Sequence, residues 1–318
     1  MSNLPIIDLD MAPNVAIAII AIYVLLVVAS LFTWSLAKRR PERDYTELRQ
    51  RVRTWWVIVT LFAVAIALKP IFAISLLGFV SFLAFKEYIT LIPTRRADHR
   101  VLFLAYLTIP IQYYWVADGW YGMFIVFIPV YAFLLLPARM VLIGETDGFI
   151  RAAGTLHWGL MTTVFSLSHT AFLLALPQSG NPVAGGDGLL LYLLLLTQLN
   201  DVAQYVWGKS FGKHKVVPKV SPKKTVEGLF GGIATTAVVA VIAAPFLTPL
   251  TRWEALAAGL LIGAAGFIGD ISVSAVKRDL GIKDSGNILP GHGGILDRVD
   301  SLTFTAPLFF HFVYYLHY

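Results

Sequence analysis

Residues 255–300 read A-L-A-A-G-L-L-I-G-A-A-G-F-I-G-D-I-S-V-S-A-V-K-R-D-L-G-I-K-D-S-G-N-I-L-P-G-H-G-G-I-L-D-R-V-D. The first part, 255–275, is a nearly unbroken apolar run. About 20 such residues, at about 1.5 Å each, match the roughly 30 Å hydrocarbon core of a bilayer. Lipid offers no partner to backbone N–H and C=O groups, so a single segment of this kind crosses as a helix. Its continuation, 274–300, packs four cations, four acids, His292 and five glycines into 27 positions. That much charge beside a membrane span is not a packing device. Glycines let backbone N–H groups approach an anion, cations neutralise it, and clustered carboxylates hold a hard divalent metal. The stretch predicts phosphate chemistry at a membrane surface.

The same alternation extends outward along the chain. Of 318 residues, 57% are hydrophobic and 14% charged, where a soluble domain carries about 25% charged residues. The expected fold class is an all-α, polytopic integral membrane protein with about ten transmembrane helices. The candidate spans are 14–36, 55–68, 71–91, 101–117, 121–137, 152–176, 189–207, 228–248, 255–275 and 303–318. A cleavable leader is not expected: Asp8 and Asp10 stand where its basic region belongs, and the first apolar run is long enough to span. With no cysteine, disulfides, thiolate nucleophiles and Cys-based metal sites are excluded.

If ten spans alternate, 22 of the 25 Lys and Arg fall on one side. By the positive-inside rule that side is cytoplasmic. The expectation is a bacterial plasma membrane protein with its polar site facing the cytoplasm. Topology then accounts for most of the net charge of +6, and no nucleic-acid partner is needed. Asn181-Pro182 and Gly185-Gly186-Asp187-Gly188 mark an outer loop. It divides N-terminal helices (1–188), expected to be a scaffold or lipid cavity, from a C-terminal catalytic region (189–318).

Three constellations carry the chemistry. The first runs from Asn200-Asp201 through Gln204 to Ser221-Pro222-Lys223-Lys224-Thr225-Val226-Glu227-Gly228. Asp201 precedes Lys209 by about 12 Å of helix, which puts it below the interface rather than at the midplane. Ser221 or Thr225 can cap the next helix, where Lys223 and Lys224 would meet a phosphate. The plain alternatives are an interhelical polar contact and a basic loop touching anionic lipid. In the second, Asp270, Ser274 and Lys277 share a helical face, with Arg278 beside them. Here the plain alternative is a structural Asp270–Lys277 pair. The third joins Lys283-Asp284, Pro290-Gly291-His292-Gly293-Gly294 and Asp297-Arg298-Val299-Asp300. Asp297 and Asp300, at i and i+3, can share a face. With no cysteine and no second histidine nearby, a zinc site is not expected. His157, His169, His311 and His317 read as core or interface residues.

Together these residues resemble the phosphatidate cytidylyltransferases, the CDP-diacylglycerol synthases. The family's C-terminal pattern is met by Ser274, Lys277-Arg278, Lys283-Asp284, Pro290, His292-Gly293-Gly294 and Asp297-Arg298-Asp300. The upstream block from Asp201 to Gly228 resembles it as well, with Gln204, Lys209 and Val226 departing from the usual residues. The resemblance spans about residues 195–305. It implies cytidylyl transfer from CTP to phosphatidate with Mg²⁺, and leaves open a second metal or a monovalent cation. Asp270, Asp297 and Asp300 are the expected metal ligands, with Asp201 as a further ligand or neighbour. Lys223, Lys224, Lys277 and Arg278 would neutralise phosphates. Ser221, Thr225, Ser274, Asp284, His292, Gly293, Gly294 and Arg298 would line the nucleotide and lipid phosphate. Another lipid phosphate acceptor, a CTP-dependent lipid kinase and, remotely, a cation-coupled transporter are the alternatives. Membrane lipid is an expected partner, and a homodimer is left open.

Overall fold

The computed structural model describes residues 11–42, 44–95, 98–286, 288–291 and 293–318. In chain order the helices are α1 (Pro13–Arg39), α2 (Thr46–Ala67), α3 (Pro70–Leu91) and α4 (His99–Asp118). Then come α5 (Tyr121–Val141), α6 (Phe149–Ala175) and α7 (Gly185–Phe211). The last are α8 (Val226–Leu247), α9 (Arg252–Asp279), the short α10 (Leu296–Val299) and α11 (Leu302–His317). Among the described residues there is no strand, only the isolated bridges Lys215–Thr225 and Leu289–Gly293.

The protein is all-α and polytopic, as expected. Among the described residues, eight helices are long and apolar enough to cross a membrane: α1, α2, α3, α5, α6, α7, α8 and α9. The other two predicted spans are also helical. However, α11 has 16 residues, about 24 Å of helix, short of the roughly 30 Å core. Helix α4 carries Arg100, Pro110, Gln112 and Asp118, which dilute its apolar run.

Lipid tails are as apolar as leucine, so helices in a bilayer associate through close packing of small residues and through hydrogen bonds. Helices α8 and α9 meet along Ala237, Ala240, Gly259 and Gly263. Helix α7 is the inner post of the bundle, with Leu189, Leu190, Tyr192, Leu193 and Leu196 fully buried. Asn200 joins α7 to both neighbours, donating to Gly263 O at 3.1 Å and accepting from Thr236 Oγ1 at 3.3 Å. Helix α1 lies at the rim. Its Ile17, Ile20, Val24, Leu25, Leu31 and Phe32 are exposed, as a lipid-facing surface requires. The C-terminal ends of α7 and α9, the start of α8 and the α10–α11 corner gather at one end of the bundle, and the polar residues concentrate there.

Candidate active site

Helices α7 and α9 each bring a carboxylate to this end. Asp201 on α7 accepts from Ser301 Oγ at 3.1 and 3.0 Å. Asp270 on α9 pairs with Lys224 Nζ at 2.7 Å and accepts from Ser274 Oγ at 3.2 Å. Lys224 also donates to Gln204 Oε1 at 2.8 Å and stands over the Phe267 ring. One ammonium therefore links α7, the loop before α8, and α9. Asp300 is buried and accepts from Ser301 N at 2.8 Å. Burial first, and the negative charges of Asp270 and Asp201 next, hold its carboxyl well above the usual carboxylate range. Asp201, Asp270 and Asp300 thus form one electrostatic group drawn from three elements. The close approach needs Gly269: a Cβ there would lie 2.6 Å from Asp300 O.

Asp297 stands apart from this group. Its Oδ1 takes Lys277 Nζ at 2.7 Å, and its Oδ2 takes Ser285 N at 2.9 Å and Gly294 N at 3.0 Å. Burial pushes its carboxyl up, but Lys277 and the two N–H groups prevail and hold it below the usual range. Gly293, at φ 81°, turns the chain beneath it, and a Cβ there would press on Asp297 Oδ2. Lys277 thus pairs with Asp297 rather than with Asp270, the partner its own helical face offered.

The other sequence-predicted residues frame these two centres. Thr225 caps α8, its Oγ1 accepting from Gly228 N at 3.1 Å. Ser221 closes the preceding turn through its backbone, and Lys223 is exposed. Glu227 accepts from Lys213 N at 3.0 Å and His214 Nδ1 at 2.7 Å, which anchors the basic loop. Arg278 donates to Val220 O and Ile282 O at 3.1 and 3.0 Å, tying that loop to the end of α9. Asp284 is exposed. Arg298 is exposed and within electrostatic reach of Asp201. Gly294 is buried against Ser285 and Glu87. His292 lies outside the described residues.

Sequence reasoning missed Glu87. This buried residue near the end of α3 accepts from Ile295 N at 2.9 Å, Leu296 N at 2.8 Å and Ser285 Oγ at 3.2 Å. It satisfies the free N–H groups at the start of α10, as a capping side chain would, from about 200 positions upstream. Helix α2 grips the same loop: Thr54 Oγ1 donates to Pro290 O at 2.9 Å and Arg51 Nε to Gly291 O at 3.1 Å. The available signal was an acid within an apolar span, which is costly in a membrane and demands a partner.

Among the described residues no three His, Asp or Glu side chains form a ready-made metal cage. The donor set of Asp201, Asp270 and Asp300 nevertheless suits a hard cation. Three carboxylates act on one another, with Lys224 as the paired cation. Mg²⁺ takes one or two protein carboxylates and completes its shell with water and substrate phosphate. Such a site is expected to be only partly built by the protein.

The sequence model described as Cytidylyltransferase family matches residues 49–316. YnbB of Escherichia coli K12, described as uncharacterized, is 48% identical over 297 residues, covering 93% of this chain and 97% of that protein. The phosphatidate cytidylyltransferase of Staphylococcus haemolyticus is 44% identical over 125 residues, 38% of this chain and 48% of that protein. That of Staphylococcus aureus (strain COL) is 44% identical over 120 residues, 37% and 46% respectively. The chain spans about half the length of these two enzymes.

Proposed function

This chain belongs to the cytidylyltransferase family, a family of nucleotidyltransferase enzymes, and from that premise we propose that it transfers the cytidylyl group of CTP to phosphatidate. A phosphate oxygen of the lipid attacks the α-phosphorus of CTP. The bond from that phosphorus to the bridging oxygen breaks, so CDP-diacylglycerol forms and pyrophosphate leaves. The attacking phosphate is already anionic, and no strong general base is required. The barrier is the meeting of two polyanions and the charge that develops on pyrophosphate.

The observation that carries this reading is the convergence of Asp201, Asp270 and Asp300 beside Lys224, next to a glycine-rich loop held in place from α2 and α3. Asp201, Asp270 and Asp300 would hold Mg²⁺, which supplies Lewis-acid stabilisation of phosphate charge. Asp297, with Lys277, Ser285 N and Gly294 N on its oxygens, clamps the loop in this reading, and the metal role expected of it in the sequence falls to the other three carboxylates. Lys224, now paired with Asp270, would be available to a phosphate if that carboxylate held the metal. Lys223 and Arg298, both exposed, are free to meet triphosphate. In this reading the site would face the cytoplasm, where CTP is found, and take lipid from the side.

Purified protein given CTP labelled in the α-phosphate, phosphatidate and Mg²⁺ should release pyrophosphate and place the label in lipid. Release of CDP with unlabelled lipid product would replace this reading with γ-phosphate transfer. In the same assay Asp300→Asn should lower turnover by at least on the order of a hundredfold.

A further inference from the structure

A cleft of ≈ 660 Å³ opens between α1 and α2, lined by Ser30, Thr33, Trp34, Lys38, Arg49, Arg53 and Trp56 together with small apolar groups. Its volume is that of a small-molecule site. Its α2 wall is one helical face, with Arg49, Val52, Arg53 and Trp56 at i, i+3, i+4 and i+7. Its α1 wall lies in a part of the chain before residue 49, where the family match begins.

Three cations and no carboxylate line this cleft. Among the described residues none of Lys38, Arg49 and Arg53 makes an ion pair. Asp44 is within electrostatic reach of Arg49, but it is exposed, bonded to Thr46 N at 2.8 Å, and not part of the lining. The floor is fixed by Trp56 Nε1, which donates to Ser30 Oγ at 3.0 Å. Lys38 stands 5.2 Å from the Trp34 ring. Tryptophan settles at the headgroup level of a bilayer, so the two indoles set the depth of the cations. Toward the membrane interior, α1 leaves Val24, Leu25, Val27, Val28, Leu31 and Phe32 exposed. A cationic mouth thus sits at the end of an apolar track.

We propose that this cleft binds the phosphate headgroup of an anionic glycerophospholipid, at a site separate from the reaction centre. Arg49 and Arg53 clasp the phosphate in the fork geometry that guanidinium favours. Lys38 adds a third positive charge, and the acyl chains lie along α1. The two turns of α2 that carry this face also carry Arg51 and Thr54, which hold the carbonyls of Gly291 and Pro290. A lipid in the cleft therefore braces the helix that grips the glycine-rich loop.

Native mass spectrometry of the full chain in detergent tests this without using turnover, so its outcome is independent of the proposed reaction. Phosphatidylglycerol, phosphatidylcholine and inorganic phosphate are the probes. The wild type should retain one phosphatidylglycerol in preference to phosphatidylcholine. Arg49→Gln/Arg53→Gln should weaken that binding about thirtyfold, the effect expected of two cations at a lipid surface. Asp300→Asn, in the reaction centre, should leave it unchanged. If the double variant does not fold, Lys38→Gln at the exposed end of α1 serves in its place, with about a fivefold loss. The proposal falls if the cleft variants hold phosphatidylglycerol as the wild type does, or if Asp300→Asn releases it. It also falls if inorganic phosphate displaces the lipid at the concentration that saturates the site.

Discussion

Asp297 and Asp300 sit three residues apart and do opposite things. Asp297 is held below the usual carboxylate range and spent on Lys277 and two backbone N–H groups. Asp300 is pressed by burial and by two neighbouring carboxylates toward its protonated form. In metal-free protein the folded state therefore keeps a proton on Asp300 at pH values where the unfolded chain, with a carboxyl near pH 4, has lost it. Stability should fall as pH rises from about 4 through the raised value, because the folded state binds more protons there. Asp297 contributes with the opposite sign: its stabilisation is present above about pH 4 and is lost on acidification. Thermal unfolding across pH should show the first slope in the wild type and a flatter one in Asp300→Asn. Mg²⁺ should also flatten it by displacing the proton. An unchanged slope in Asp300→Asn would remove Asp300 as its source. Glu87 belongs to this scale too. Glu87→Ala leaves the first N–H groups of α10 and Ser285 Oγ without their acceptor, a loss of about 2–3 kcal/mol for hydrogen bonds to a charged group. Amide exchange of residues 285–296 should rise, and turnover should drop by roughly 30–100-fold. Glu87→Asp should recover part of both.

At the scale of elements, the close crossing of α9 and the α10–α11 corner decides whether the carboxylates converge. Gly269→Ala places a methyl against Asp300 O and Ser301. Overpacking of this kind costs about 1–3 kcal/mol. The melting temperature should fall and the apparent Mg²⁺ requirement should rise, since Asp270 and Asp300 move apart together. An unaltered Mg²⁺ titration would count against the crossing as what aligns them. The helices themselves were legible in the sequence, because a membrane helix needs a long apolar run and little else. Asp201, Lys224, Asp270 and Asp300 stood out in the sequence because charge inside or beside such runs is costly and needs a partner. The partner of Lys277 was not legible. The i, i+7 spacing offered Asp270, but the chain reversal at Gly293 delivers Asp297 instead. Glu87 escaped because its partners are backbone N–H groups some two hundred residues away, and no side-chain pattern marks a backbone donor.

At the scale of the whole molecule, the two halves of the chain meet at the glycine-rich loop. The carboxylate group comes from α7, α9 and the α10–α11 corner, but the loop that completes it is held by Arg51, Thr54 and Glu87 of the first half. Grip and site meet at one end of the bundle, the end where α7 and α9 finish in Lys209 and in Lys277-Arg278. By the positive-inside rule the charge on the basic loops would direct that end inward. Because the chain has no cysteine, orientation can be read from single introduced thiols. In right-side-out membranes Lys215→Cys, in the loop anchored by Glu227, should resist a membrane-impermeant maleimide until the vesicles are opened. Gln178→Cys, in the exposed turn between α6 and α7, should react at once. The reverse pattern would place the carboxylates on the outer face, away from CTP, and cytidylyl transfer from a cytoplasmic nucleotide would have to be abandoned with it.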